Sequence, residues 1–483
     1  MQTRVARLAP EDSDPLSMAL HPPIFETLEE RTARLAKEIR EKEISDAIDA
    51  EIEKVRSNER RGPKPIKILL LGEHSMVSNG KSTTLKNFQL MYDPKSFRAE
   101  RASWRAVVQL NVVQSFRNIL DAMTRIENQE QPSPSSPVGS KRVPLLTPEV
   151  LEIKLRLQPL ADVEKNLIRR ITTAGSGQVD PDFRHGNSDV PSKGTLKEIA
   201  INATIPWKNT FSRLLKSDHR SSFDSTDAID WDDPEDPWAI LNQCSQDMIK
   251  LWNSPTVKQL LAKRVVRSED LSEYFLNSLE RVTAPRYVPT DDDVLHARLK
   301  TLGASEHLFK IATDGSIRDW RVYDVGGQRS LRPAWAPYFD DMDAIIFLAP
   351  ISCFDQVLAE DHRVNRLEDS FKLWTTIVTN KLLRDTNLIL FLNKIDLLRS
   401  KLESGIKLKE YVVSYGDRPN DLDSATAYFK RKFGGILHEK SPSPRVFYCH
   451  LTTATDTKST KYVLSNVRDM LMRQNLMKTN LLA

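Results

Sequence analysis

The stretch Ile66-Lys-Ile-Leu-Leu-Leu71, running into Gly72-Glu-His-Ser-Met-Val-Ser-Asn-Gly80-Lys81-Ser82-Thr83, decides how the chain folds. Its first six residues form an apolar run of strand length. Its end, Gly80-Lys81-Ser82, opens a helical pattern. A strand, a loop and a helix N-terminus in that order cradle phosphate, because backbone N–H groups and the helix dipole both face the anion. Lys81 then reaches the outer phosphate oxygens and the Ser82 hydroxyl holds Mg²⁺. A Gly-Lys-Ser triplet alone is a common accident; the flanking strand and helix lift it above that reading.

Working outward, further apolar runs lie at Ala344–Ala349, Asn387–Leu392 and Val446–Leu451, separated by helical stretches. His307–Thr313 and Ser316–Val325 flank Asp314-Gly315, a pair that supplies the positive φ of a two-residue turn, so they read as a hairpin. Strands alternating with helices at this spacing predict a doubly wound α/β sheet. Upstream, residues 24–61 read as one long charged helix. Leu28, Thr32, Leu35 and Ile39 make a stripe that Ile44, Ile48, Ile52 and Val55 resume one residue out of step, and Gly62-Pro63 ends it. Such a helix is either a solvated element packing on its own domain or a projection whose narrow stripe waits for a partner. Residues 1–23 are expected to be disordered. Past Phe97 the pattern is helical, with Trp104, Val107, Val108, Val112 and Ile119 as spaced apolar positions. Residues 127–237 turn repeatedly to Pro, Ser, Gly and Asp, with amphipathic pieces at 148–171 and 196–216, and read as partly disordered expansions. Helical periodicity returns over 240–284.

The composition narrows the function. Lys and Arg number 70 against 66 Asp and Glu, a net charge of +4 that argues against a phosphate-tracking nucleic-acid binder. Three distant cysteines, Cys244, Cys353 and Cys449, exclude a disulfide scaffold and suit a reducing compartment. No apolar run is long enough to span a bilayer. The first ten residues lack a signal-peptide core, and Gln2 stands where N-myristoylation needs glycine. These traits predict a soluble, intracellular, multidomain chain.

Three more motifs sit at strand ends. Asp324-Val-Gly-Gly-Gln328 offers a carboxylate to orient Mg²⁺ through water, glycines that let backbone approach a γ-phosphate, and an amide to position water. Alone it would be a turn closing a strand. Asn393-Lys-Ile-Asp396 offers a carboxylate that accepts two N–H bonds from guanine, which adenine cannot supply. Thr452-Thr-Ala-Thr455 presents the Ala454 N–H to the guanine O6 and is weak by itself. Four such elements in this order point to a guanine nucleotide.

On these residues the chain resembles the α subunits of heterotrimeric G proteins, in a divergent, fungal-looking form. The most telling run is Arg286-Tyr-Val-Pro-Thr-Asp-Asp-Asp-Val-Leu-His-Ala-Arg298-Leu-Lys-Thr301-Leu-Gly303, similar to that family's linker into its first switch. Asp324 to Arg329 resembles the second switch, and Val357 to Asp361 with Asn365-Arg366 the third. The resemblance implies a Ras-like P-loop GTPase sheet (62–96 and 296–483), an inserted all-α helical domain (97–295) and an N-terminal helix. It implies Mg²⁺ on Ser82 and Thr301 with Asp324 behind water, and nucleotide held by Asn79, Gly80, Lys81, Thr83, Leu295, Gly326, Gly327, Asn393, Lys394, Asp396 and Ala454. Arg298 would be an arginine finger in cis and Gln328 the water-orienting residue. The implied partners are a βγ dimer, a receptor through the C-terminal helix and an effector through the switches. The implied place is the cytoplasm, peripheral at the inner face of the plasma membrane through those partners.

The loop departs from the family in having seven residues between Gly72 and Gly80 where the phosphate-loop pattern has four. No cysteine precedes Cys244, so the usual lipid anchors lack an acceptor, and Asn475 to Ala483 contains no cysteine for toxin ADP-ribosylation. Two functions therefore stand side by side: a GTP-hydrolysing switch, and a GTP-dependent binding module whose altered loop impairs hydrolysis. An ATP-using P-loop enzyme is disfavoured by Asp396.

Overall fold

The structure, a computed structural model, describes residues 27–61, 64–72, 80–129, 146–171, 177–179, 199–202, 229–302, 304–313, 316–326, 329–339, 341–358, 361–453 and 455–478. Two compact units divide at Pro65. The first holds helix α1, Leu28–Arg61. Its start is set by a capping box: Thr27 Oγ1 accepts from the Glu30 N–H, and the Glu30 carboxylate accepts from the Thr27 N–H. Pairs such as Arg34–Glu38 and Lys37–Glu41 support it along its length. Leu28, Leu35, Ile39, Ile44 and Ile48 are all exposed, so no core within this unit covers the stripe.

The second unit is built on a six-stranded sheet. Its strands are β1 (Ile66–Gly72), β5 (Ala304–Thr313), β6 (Ser316–Val325), β7 (Ala344–Pro350), β8 (Asn387–Asn393) and β9 (Tyr448–Thr452), in the order β5-β6-β1-β7-β8-β9. All neighbours run parallel except β5 and β6, which form the expected hairpin with Thr313 opposite Ser316. The Asp314-Gly315 turn itself lies outside the described residues. Strand alternation divides β1 between two cores: Ile66, Ile68 and Leu70 face one, Leu69 and Leu71 the other. The first core is covered by Lys81–Tyr92 and Thr457–Lys478. The second is covered by Arg366–Thr379, Ile395–Glu403 and Leu422–Lys440. Such two-sided burial is what lets β7 be apolar at every position.

A separate core gathers the helices between β1 and Lys300. Arg105–Gln129, Pro148–Arg156, Leu160–Ile171, Trp238–Asn253 and Pro255–Ala262 bury Trp104, Phe116, Leu157, Met248 and Phe275. Two of these helices begin with Pro behind a hydroxyl cap, Thr147 before Pro148 and Ser254 before Pro255. The piece at 148–171 is thus two helices broken at Leu157–Pro159. The insertion is not helical throughout. Strands β2 (Gly177–Val179) and β3 (Ile199–Asn202) join β4 (Lys300–Leu302) in a small sheet ordered β2-β3-β4. The Ile199-Ala-Ile-Asn202 run is short and apolar enough for a strand, where only an amphipathic piece was expected. The rest of 203–216 lies outside the described residues.

Candidate functional site

Strand ends position the motifs. Leu70 pairs with Asp324, Gly72 with Leu348, Pro350 with Asn393 and Asn393 with Thr452, so all four motifs open on the carboxyl edge of the parallel strands. That edge is where open α/β sheets bind ligands. Gly72 is required by packing: a Cβ there would stand 2.7 Å from the Leu348 carbonyl oxygen. Gly80 caps the following helix at φ 86°, ψ 0°, a left-handed conformation that favours glycine.

At the phosphate end Lys81 is buried and its Nζ donates to the Gly72 carbonyl at 3.2 Å. Ser82 Oγ donates to Asp324 Oδ2 at 2.9 Å. Asp324 is 1% exposed, and its other oxygen, Oδ1, has no hydrogen-bond partner among the described residues. Burial pushes its carboxyl above the usual range, opposed by Lys81 and by the Ser82 hydroxyl. A buried carboxylate oxygen without a partner costs about 1–3 kcal/mol or more, so this corner has capacity for a cation or its water. The oxygen donors fit Mg²⁺, which takes hard oxygen ligands and keeps several waters. Gly326 is held through its carbonyl, which accepts from Trp335 Nε1 at 2.9 Å.

The linker toward Thr301 is tied to both halves of the second unit. Thr290 and Asp293 form a capping box on the helix Asp291–His296, which buries Leu295. Asp293 also takes Arg281 at 2.6 and 2.7 Å and the Tyr287 hydroxyl at 2.9 Å. Thr83 Oγ1 donates to the Leu295 carbonyl at 3.5 Å. Sequence reading missed Lys86 and Asn111. Lys86 Nζ donates to the carbonyls of Val294 and Ala297 and lies over Trp104, while burial draws its pKa down to about 7. Asn111 brackets Arg298, donating to its carbonyl at 2.9 Å and accepting from its N–H at 2.6 Å. No local pattern marked either residue, since their partners lie far along the chain.

Arg298 donates to the Glu269 carbonyl at 2.8 Å, with Asp270 and Glu273 close enough to act on its charge. Glu269 is itself a junction. Its carboxylate meets Lys401 and accepts from Gln356, and Lys401 also reaches Asp355 at 2.7 Å and the Ser352 carbonyl. Burial pushes the Glu269 carboxyl up, but Lys401 and the hydrogen bonds more than offset this and hold it below its usual range.

At the base end Asn393 is 1% exposed and its Oδ1 accepts from Thr452 Oγ1 at 3.2 Å. Lys394 turns the chain at φ 63°, ψ 42°, so that the helix Ile395–Glu403 starts at once. Asp396 stands in its first turn, exposed, with Thr453 Oγ1 donating to it at 3.4 Å. The structure thus gathers Lys81, Ser82 and Asp324 at one end and Asn393, Asp396, Thr452 and Thr453 at the other. Thr301 is placed through its backbone in β4. Asn79, Gly327, Gln328 and Ala454 lie outside the described residues.

Known proteins resemble this chain over most of its length. The profile of one family, G-protein alpha subunit, matches residues 42–471. The guanine nucleotide-binding protein alpha-4 subunit of Mycosarcoma maydis is 31% identical, the alignment covering 97% of this chain and 96% of that one. The alpha-2 subunit of Neurospora crassa is 29% identical over 87% of this chain and 92% of its own. The alpha-1 subunit of Saccharomyces cerevisiae is 28% identical over 88% and 93%.

Proposed function

The chain belongs to the G-protein alpha subunit family, and from that membership we propose that it is a guanine-nucleotide switch that hydrolyses GTP and couples G-protein-coupled receptors to intracellular effectors. The observation that carries the reading is the Ser82–Asp324 pair with its unpartnered carboxylate oxygen, beside a buried Lys81 at a glycine-capped helix N-terminus. Lys81 binds phosphate. Ser82 and Thr301 hold Mg²⁺, with Asp324 reaching it through water; when bound, the ion offsets phosphate charge. Asn79, Gly80, Thr83, Leu295, Gly326 and Gly327 line the nucleotide, and Asn393, Lys394, Asp396 and Ala454 hold guanine. Arg298 stabilises charge in the transition state and Gln328 orients water. Residues 62–96 and 296–483 form the GTPase domain and 97–295 the inserted domain. The stripe on α1 is the surface for a βγ dimer, the C-terminal helix meets the receptor, and the switch segments meet the effector. No helix among the described residues is long and apolar enough to cross a membrane, so contact with the plasma membrane comes through those partners.

Members of this family are GTPases in general, which does not favour a binding module without turnover. Single-turnover hydrolysis of GTP by the purified chain with Mg²⁺ tests the proposal. Arg298→Ala should slow release of phosphate by about 10²-fold or more while nucleotide still binds, a size general to this family rather than deduced from the geometry. Turnover that does not change on this substitution would remove Arg298 from the chemistry.

A further inference from the structure

The segment that carries Thr301 does not stand alone. In β4 it lies parallel to β3, with Ala200 opposite Lys300, Ile201 opposite Thr301 and Asn202 opposite Leu302. On its far side β3 pairs antiparallel with β2, Ile201 opposite Gly177. Both added strands come from the region that composition alone marked as an expansion. Parallel partners cannot come from a tight turn, and here the helices Trp238–Asn253 and Pro255–Ala262 intervene between Asn202 and Lys300. The pairing is therefore a long-range contact of the insertion with the switch segment. An isolated two-stranded ladder of this length would be marginal, and a third strand is what such a ladder needs to persist.

The expansion inside the inserted domain is also anchored where it leaves and where it returns. It departs after Ile171, which is fully buried, and re-enters near Ile229, 6% exposed. The returning residues are acidic and dock on basic helices: Asp233 takes Arg170 at 2.7 Å, Glu235 takes Arg169 at 3.0 Å, and Asp236 pairs with Arg105 in the interior. With both ends fixed on the helical core, the length of chain between them adds only slowly to the cost of bringing β3 to β4.

We propose that Ile199–Asn202 is a positioning strand for Thr301: the insertion holds the backbone of that residue in place and so governs how firmly Mg²⁺, and with it the nucleotide, is retained. The pairing is independent of the assignment above, but its consequence for Mg²⁺ rests on reading Thr301 as a ligand. The test is Ile201→Pro in the full chain loaded with GDP. Proline has no N–H, and in the middle strand of β2-β3-β4 it breaks the ladder. Amide hydrogen exchange across residues 298–305 should speed up by at least tenfold. Release of labelled GDP should rise several-fold, and the Mg²⁺ concentration needed to suppress it should rise likewise; Ile201→Val should leave all three unchanged. Replacing 177–202 by a glycine-serine linker gives the same readouts if the proline variant does not fold. Unchanged exchange at 300–302 overturns the pairing, and faster exchange with an unchanged Mg²⁺ requirement overturns the positioning role. A parent protein whose GDP release ignores Mg²⁺ would instead refute the Mg²⁺ site assigned to Ser82 and Thr301.

Discussion

At the ends of β8 and β9, Thr452 donates to Asn393 between neighbouring strands, whereas at the end of β6 Asp324 keeps one buried oxygen without a partner among the described residues. The first end relies on neutral hydrogen bonds between strands in fixed register. The second relies on charges, Lys81 against Asp324, that burial makes expensive to leave uncompensated. The base end is thus shaped by the fold, while the phosphate end holds polar capacity in reserve. Discrimination between bases should accordingly belong to a few rigid groups, and response to Mg²⁺ to the strained charges.

The largest effect should come at the base end. Asp396→Asn reverses one hydrogen-bonding edge and leaves a donor facing a donor, a mismatch of about 1–3 kcal/mol per unpaired group. Guanine nucleotide affinity should fall by about two orders of magnitude and preference should move toward xanthine nucleotides; competition binding would show it. Equal affinity of the parent for ATP and GTP would erase the contrast between the two ends.

At the phosphate end, Ser82→Ala removes the hydroxyl beside Asp324 and adds a second unpartnered oxygen to the carboxylate. The loss should be about tenfold in Mg²⁺-dependent GTP affinity, with the guanine-over-adenine ratio unchanged. A changed ratio in titration calorimetry would mean that the two ends are not separable.

The smallest effect should come from Glu269, which joins the ends: its carbonyl receives Arg298, and its carboxylate meets Lys401 on the helix that Asp396 opens. Glu269→Gln should lower stability at pH 7 by about 1–2 kcal/mol. Because the folded carboxyl titrates below its ordinary value of 4.5, its contribution is present above that pH and is lost as pH falls through the folded pKa. Denaturant unfolding of parent and variant should therefore converge in acid. A difference that persists there would assign the loss to packing.

Much of this was legible in the chain. Ile66 to Leu71, Ala344 to Ala349 and Asn387 to Leu392 read as strands because both faces of a parallel strand are buried and leave a continuous apolar run. The motifs read because each sits where such a run stops. The capping box moved the start of α1 from residue 24 to Leu28; Thr27 and Glu30 could have been recognised from spacing. Lys86, Asn111 and the Glu269–Lys401 contact were not legible. Their partners are carbonyls or side chains far along the chain, and a buried lysine reads locally like any solvated one. The pairing of β3 with β4 escaped for the same reason, since strands of four and three residues carry no period.

Lys86 has a consequence of a different kind. Burial draws its pKa down to about 7, and this holds only while the linker covers it. While it is 3% exposed and bonded to Val294 and Ala297, no reagent can meet it. When the linker lifts, water reaches the amine, the burial that lowered its pKa is gone, and it becomes an ordinary lysine open to reagent. Acylation of Lys86 is therefore a reporter of that motion, blocked while the linker is down and permitted once it lifts.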